Sequence, residues 1–149
     1  MKKVTSFLIV ILFLLVGCTS NSILSKSKAQ DYLEKNNFEV EIYDKTDTII
    51  GKSKSDGIVS LYYGQNANIF FNSSIESFGK NSLVEVKNQE DEKVYMTFDD
   101  DQGIPAVFIL KNESVLSIIS FKDMISAKKI AQDLKFLDRD TTEEINKKQ

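Results

Sequence analysis

Apolar and polar positions alternate along this chain in two rhythms, and the places where the rhythm changes mark the elements. Ala29, Tyr32 and Leu33 recur at helical spacing and Asn36-Asn37 ends the run, which predicts a helix over about residues 27–36. Phe38, Val40 and Ile42 then alternate with Glu39, Glu41 and Tyr43, the pattern of a strand with one buried face. Ile58-Val59-Ser60-Leu61-Tyr62-Tyr63 is nearly apolar on both faces, and so is Ala106-Val107-Phe108-Ile109-Leu110. Such strands belong in the middle of a sheet covered by helices on both sides. The Lys111-Asn112-Glu113 turn, followed by Val115, Ser117, Ile119 and Phe121, predicts a hairpin with 106–110. Ala127, Ile130, Ala131, Leu134 and Leu137 fall on one stripe, giving an amphipathic helix over about 124–137.

Between these elements the pattern is weaker. Phe71, Ile75 and Phe78, with Gly79 as a C-cap, predict a short helix over 69–78, although Asn72, Ser73 and Ser74 are poor helix formers. Leu83-Val84-Glu85-Val86 reads as a strand. Residues 89–98 fit two alternatives. One is a helix opened by Gln89-Glu90-Asp91. The other is a strand over 93–98 returning on 83–87, towards which Val94, Tyr95, Thr97 and Phe98 lean.

The two ends differ from this centre. Residues 1–17, MKKVTSFLIVILFLLVG, place two lysines before an apolar run from Phe7 to Val16. That run is shorter than the roughly 20 residues a membrane-spanning helix needs and fits the apolar region of a secretory signal. Residues 18–28 are Ser-rich and read as a flexible tether, residues 29–137 as a single domain, and residues 138–149 as a polar, frayed tail.

Composition narrows the chemistry. The 149 residues include no His, no Trp, one Cys and one Pro. Imidazole bases, Ser-His and Cys-His nucleophile pairs, internal disulfides and thiolate zinc clusters are thereby excluded. The net charge is −3, and about −5 without Lys2 and Lys3, with no basic stretch to bind nucleic acid. Asp99-Asp100-Asp101-Gln102-Gly103 lacks the alternate acids and spacing of a calcium loop and reads as a solvated turn, as does Glu90-Asp91-Glu92. No metal site and no cofactor is expected. No acid cluster lies in an apolar setting that would raise a carboxyl pKa for glycoside hydrolysis. Tyr62-Tyr63, Phe70-Phe71 and Phe108 read as core or pocket-lining residues.

Two resemblances add to this. Leu15-Val16-Gly17-Cys18 resembles the lipobox of bacterial lipoproteins. That implies cleavage behind Gly17, acylation of Cys18, and residence on the extracytoplasmic face of the cell membrane. The order of elements, with Gly103-Ile104-Pro105 before an apolar strand and a Lys111-Asn112 turn, resembles a thioredoxin-like domain. It implies an α/β fold with a central mixed sheet and helices on both faces, and a cis bond before Pro105. Tyr62-Tyr63-Gly64-Gln65-Asn66-Ala67-Asn68-Ile69-Phe70-Phe71 resembles the active-site tract of small thioredoxin-like proteins, including bacteriocin accessory proteins, but Asn68 and Phe71 stand where the family has cysteines. Redox exchange, which needs two thiols, is lost. The resemblance implies a redox-inactive, non-enzymatic protein- or peptide-binding module, suggestive of peptide export or protection, whose groove would be formed by Asn66, Asn68, Phe71, Ile104 and Pro105. The alternative is an unrelated α+β domain with an antiparallel sheet and a C-terminal helix, serving as a structural or interaction lipoprotein with no catalytic role. A strand at 89–98 paired antiparallel with 83–87 favours this alternative. The leader octapeptide Val10-Ile11-Leu12-Phe13-Leu14-Leu15-Val16-Gly17 also resembles the apolar peptide pheromones released from some lipoprotein signal sequences.

Overall fold

The structure is a computed structural model that describes residues 22–55, 57–97 and 104–148. The leader, Cys18 and the acidic turn at 99–103 lie outside the described residues.

Four helices, α1 (Lys26–Lys35), α2 (Ala67–Phe78), α3 (Met124–Asp133) and α4 (Arg139–Lys148), pack on seven strands. The strands are β1 (Glu39–Tyr43), β2 (Thr48–Ser53), β3 (Gly57–Tyr63), β4 (Val84–Asn88), β5 (Glu92–Met96), β6 (Ala106–Lys111) and β7 (Ser114–Ile119). They form one sheet in the order β1-β2-β3-β7-β6-β5-β4. Two meanders, β1–β3 and β4–β7, meet where β3 pairs with β7, so that Ser60 lies opposite Ser117 and Tyr62 opposite Val115. α2 carries the chain from the centre of the sheet to its far edge.

Every strand pair is antiparallel. The sheet is therefore not the mixed one that a thioredoxin-like fold implies, although helices do cover both faces. Glu92–Met96 returns antiparallel on Val84–Asn88, which resolves the ambiguous segment as a strand, and the bond before Pro105 is trans. The α+β description with an antiparallel sheet is compatible with all of this.

The period-two alternation of the central strands supplies both cores. Leu61, Val107, Ile109, Leu116 and Ile118 point to the face covered by α1, α3 and α4, where they meet Leu33, Ile130 and Ile145. Phe108, Leu110 and Val115 point the other way, towards Phe71 and Ile75 of α2. β6 is buried along almost its whole length because helices cover both of its faces, as its two-sided apolar sequence predicts. Both sheet edges carry charge: Lys52 bridges Glu41 at 2.6 Å across β1–β2, and β4 bulges between Glu85 and Lys87. Charged and bulged edges resist pairing with another strand.

The ends differ from the sequence expectation. The N-terminal segment is tied down before the predicted tether ends: the Leu24 N–H donates to the Leu134 carbonyl at 3.2 Å, and α1 starts at Lys26. The polar segment after 138 is not a frayed tail. It forms α4, which buries Ile145 and Thr141 completely. Asp138 opens it, its carboxylate accepting the Thr141 N–H at 2.8 Å.

Candidate functional site

α2 owes its position to two stripes. Ala67, Phe71 and Ile75 face the sheet and are buried over β6 and β7, where Phe71 meets Tyr95 edge-on at 5.8 Å. Phe70, Ser73, Ser74 and Ser77 form the adjoining stripe, also at helical spacing, and look along the sheet towards β3 and β2. No other described helix covers this part of the sheet. The result is a half-open groove of about 570 Å³ between that stripe and a floor of Ile50, Ser60, Tyr62, Ser117 and Ile119. Its volume falls within the range of small-molecule sites, roughly 300–1,000 Å³.

At the upper end Tyr62 and Phe70 stack with ring centroids 4.1 Å apart. At the lower end Phe78 lies against Phe108 at 5.4 Å. Between these aromatic ends the groove is lined with hydroxyls, and no charged side chain stands among its described lining residues. Thr48 and Ser74 spend theirs on backbone carbonyls, those of Thr46 and Phe70. Ser117 is 94 % buried, and no described residue hydrogen-bonds its hydroxyl or that of Ser60 beside it. The Ser117 oxygen is open to the groove, for no fully enclosed side-chain oxygen among the described residues lacks a partner.

Titratable groups with shifted pKa values lie elsewhere. Burial pushes Tyr63 up to about 12, its hydroxyl donating to the Leu24 carbonyl at 3.1 Å. Burial, and then its hydrogen bond to Glu85, push Tyr95 up to about 12. Burial and the Asp133 carboxylate raise Tyr32 further. Among the described residues no Cys, Asp, Glu, Lys or Arg lines the groove, and none form a cluster of three metal-ligating side chains. This arrangement can bind and orient a ligand through shape and neutral hydrogen bonds.

The five residues of the expected peptide groove are not brought together. Asn66 is exposed at the N-cap of α2 and makes no capping bond. Asn68 accepts from Lys93 Nζ at 3.3 Å, on the β5 side of α2. Phe71 is core. Ile104 and half-buried Pro105 precede β6 at the opposite end of the sheet. The six residues of β6 put about 20 Å between those ends. Tyr62 and Phe70, read from sequence as possible pocket-lining residues, do line the groove. The serines were missed. Their signal was present as a hydrophilic stripe on a short helix, Ser73-Ser74 and Ser77, beside Ser60 and Ser117 at inward positions of two-sided strands.

The chain matches no protein-family model, no curated protein and no solved structure.

Proposed function

We propose that this chain is a lipid-anchored extracytoplasmic binding protein, tethered through Cys18, whose α+β domain holds a ligand in the groove beside α2. The observation that carries the reading is the groove itself: a concavity with no charged side chain among its described lining residues, into which the Ser117 hydroxyl opens from the floor without a partner among the described residues. Buried polar groups are otherwise hydrogen-bonded, so an orphan hydroxyl facing a cavity suits a ligand or ordered water. The lipobox Leu15-Val16-Gly17-Cys18 supports the anchor, and the absence of His and of any Cys but Cys18 supports binding over nucleophilic chemistry. Six Cα-to-Cα steps, across five intervening residues, lead from Cys18 to Leu24, the first of the described residues whose backbone is hydrogen-bonded into the fold. Six such steps reach at most about 20 Å. An anchored domain is thereby held close to the bilayer by its upper end, where Leu24 meets Tyr63 and where the groove's Tyr62–Phe70 end lies.

Cys18→Ala tests the anchor. The variant should accumulate as a precursor larger by residues 1–17 and take up none of the labelled fatty acid that the native chain incorporates. Equal mass and equal labelling of the two proteins would sink the anchored reading.

A further inference from the structure

Only some ligands can satisfy this groove, and its chemistry sorts them. A charged head, whether carboxylate, phosphate or ammonium, would enter a concavity with no counter-charge among its described lining residues, an arrangement that costs heavily in a partly desolvated site. An extended peptide brings two backbone polar groups per residue, each of which needs a partner when buried. The floor strands cannot supply them, because the N–H and C=O groups of β3 and β7 are already paired with their neighbours in the sheet. On the floor the hydroxyls of Ser60, Ser117 and Tyr62 share no hydrogen bond with a described residue, and those of Ser60 and Ser117 sit side by side across the β3–β7 register. The floor therefore offers one paired polar spot, at Ser60 and Ser117, between the apolar carbon of Tyr62 and Ile119, with the hydroxyls of Ser73 and Ser77 at the mouth. From Phe70 to Phe78 the helix wall runs about 12 Å.

We infer that the groove holds a neutral single-chain lipid of the monoacylglycerol type, its uncharged ester or hydroxyl group on Ser60 and Ser117 and its alkyl chain along Ile50, Tyr62, Phe78 and Ile119. Such a molecule has one compact polar group and an apolar body, matching the ratio the lining presents. Tyr62, Phe70, Ile50 and Ile119 cover the chain, while the exposed Ser73 and Ser77 leave the mouth open to water and to glycerol hydroxyls. The inference rests on the groove as the binding site. The short link from Cys18 bears only on the source of the ligand, since it would place the groove's upper end beside a bilayer.

The test uses the full chain in its own membranes and a photoreactive monoacylglycerol carrying a diazirine in the acyl chain. Irradiation should attach the probe to peptides containing 58–63, 67–78 or 114–119. Unlabelled monoacylglycerol should compete, and the matching free fatty acid should label these peptides at least tenfold less. Ser77→Trp, an exposed position at the mouth, should cut labelling about tenfold while leaving the thermal melt unchanged. Ser117→Leu should also cut labelling, from the floor. Labelling that does not saturate, adducts confined to other peptides, or equal labelling by the fatty acid overturns the inference. So does a neutral apolar hexapeptide that competes at lower concentration than monoacylglycerol. The two readings fail separately: an acylated Cys18 with an unlabelled groove removes the lipid ligand alone, and a labelled groove with unmodified Cys18 removes the anchor alone.

Discussion

Replacing Glu92 by alanine should loosen the whole C-terminal side of the domain. Glu92 opens β5 and its side chain keeps only 11 % exposure. One carboxylate oxygen receives Lys87 from β4, and the other receives the hydroxyl of fully buried Thr141 on α4 at 3.1 Å. Lys111 of β6 stands 4.0 Å away and bridges onward to Asp138 at 3.3 Å. This cluster joins three strands to the start of α4. Glu92→Ala would leave two ammonium groups, 15 % and 13 % exposed, with Asp138 as the nearest remaining acid of the cluster. Breaking one partner out of a buried pair costs about 3–5 kcal/mol. Residual solvent access puts this case near about 3 kcal/mol, which lowers Tm by roughly 6–12 °C in a chain of this size. Thermal and urea unfolding followed by circular dichroism measure it. The double variant Glu92→Met with Lys87→Met should recover part of the loss, because apolar groups of similar volume replace a buried pair at little cost. A loss below about 1 kcal/mol for Glu92→Ala would refute the reasoning and place the cluster with solvent-screened surface pairs.

Further outcomes follow from single positions. Gly57 has φ of +113°, and a Cβ there would stand 2.5 Å from the Ser120 carbonyl oxygen, so Gly57→Ala should cost at least about 2 kcal/mol in urea unfolding. Gly79→Ala, also at positive φ but 3.7 Å from its nearest neighbour, Ser82 Oγ, should cost only about 1–2 kcal/mol. Burial pushes the Asp138 carboxyl up, but Thr141 and Lys111 outweigh it and hold its pKa below the ordinary value. Its stabilising contribution is present above the unfolded pKa and is lost as pH falls through the folded one. Asp138→Asn should therefore flatten the acid limb of stability below about pH 4, and a limb of unchanged slope would refute the assignment.

The elements that could be read from sequence are those whose burial is decided locally. β3, β6 and α3 declare themselves because each is long, regularly patterned and buried by its own apolar residues. β2 went unread because Thr48–Ser53 carries Gly51 and Lys52 in place of an alternating apolar face. The structure gives the reason for the glycine: a Cβ at 51 would lie 3.2 Å from Leu33 and 3.3 Å from Phe38, which pack over that point. α4 went unread for a related reason. Of its residues Thr141 and Ile145 are buried, and the Thr141 hydroxyl finds its acceptor in Glu92, 49 residues earlier. Glu92 in turn looked like part of a solvated turn because nothing near it in sequence shows that Lys87, Lys111 and Thr141 converge on it. The thioredoxin-like resemblance rested on a real feature, the hairpin of β6 and β7 after Pro105. A hairpin alone does not determine which strands flank it, and here β5 and β3 flank it antiparallel.

The groove follows from an unequal division of helices. Among the described residues three helices close one face of the sheet and α2 alone serves the other, so that none of them roofs the β2–β3 side of that face. Exposed apolar strands of this kind invite aggregation unless their surface is broken by polar groups. This chain breaks it with serines, two on the floor and three along the helix, and no charged side chain stands among the described lining residues. Solubility alone would be served better by Lys or Glu, which occupy the outer strands freely. The serines also weaken α2 as a helix, so the choice carries a local cost. A site where the sequence departs from the best local choice in order to line a concavity is a site where function is the natural explanation. Ser73 and Ser74, two of the residues that weaken the helical pattern of 69–78 in the sequence, form part of the wall of the groove in the structure.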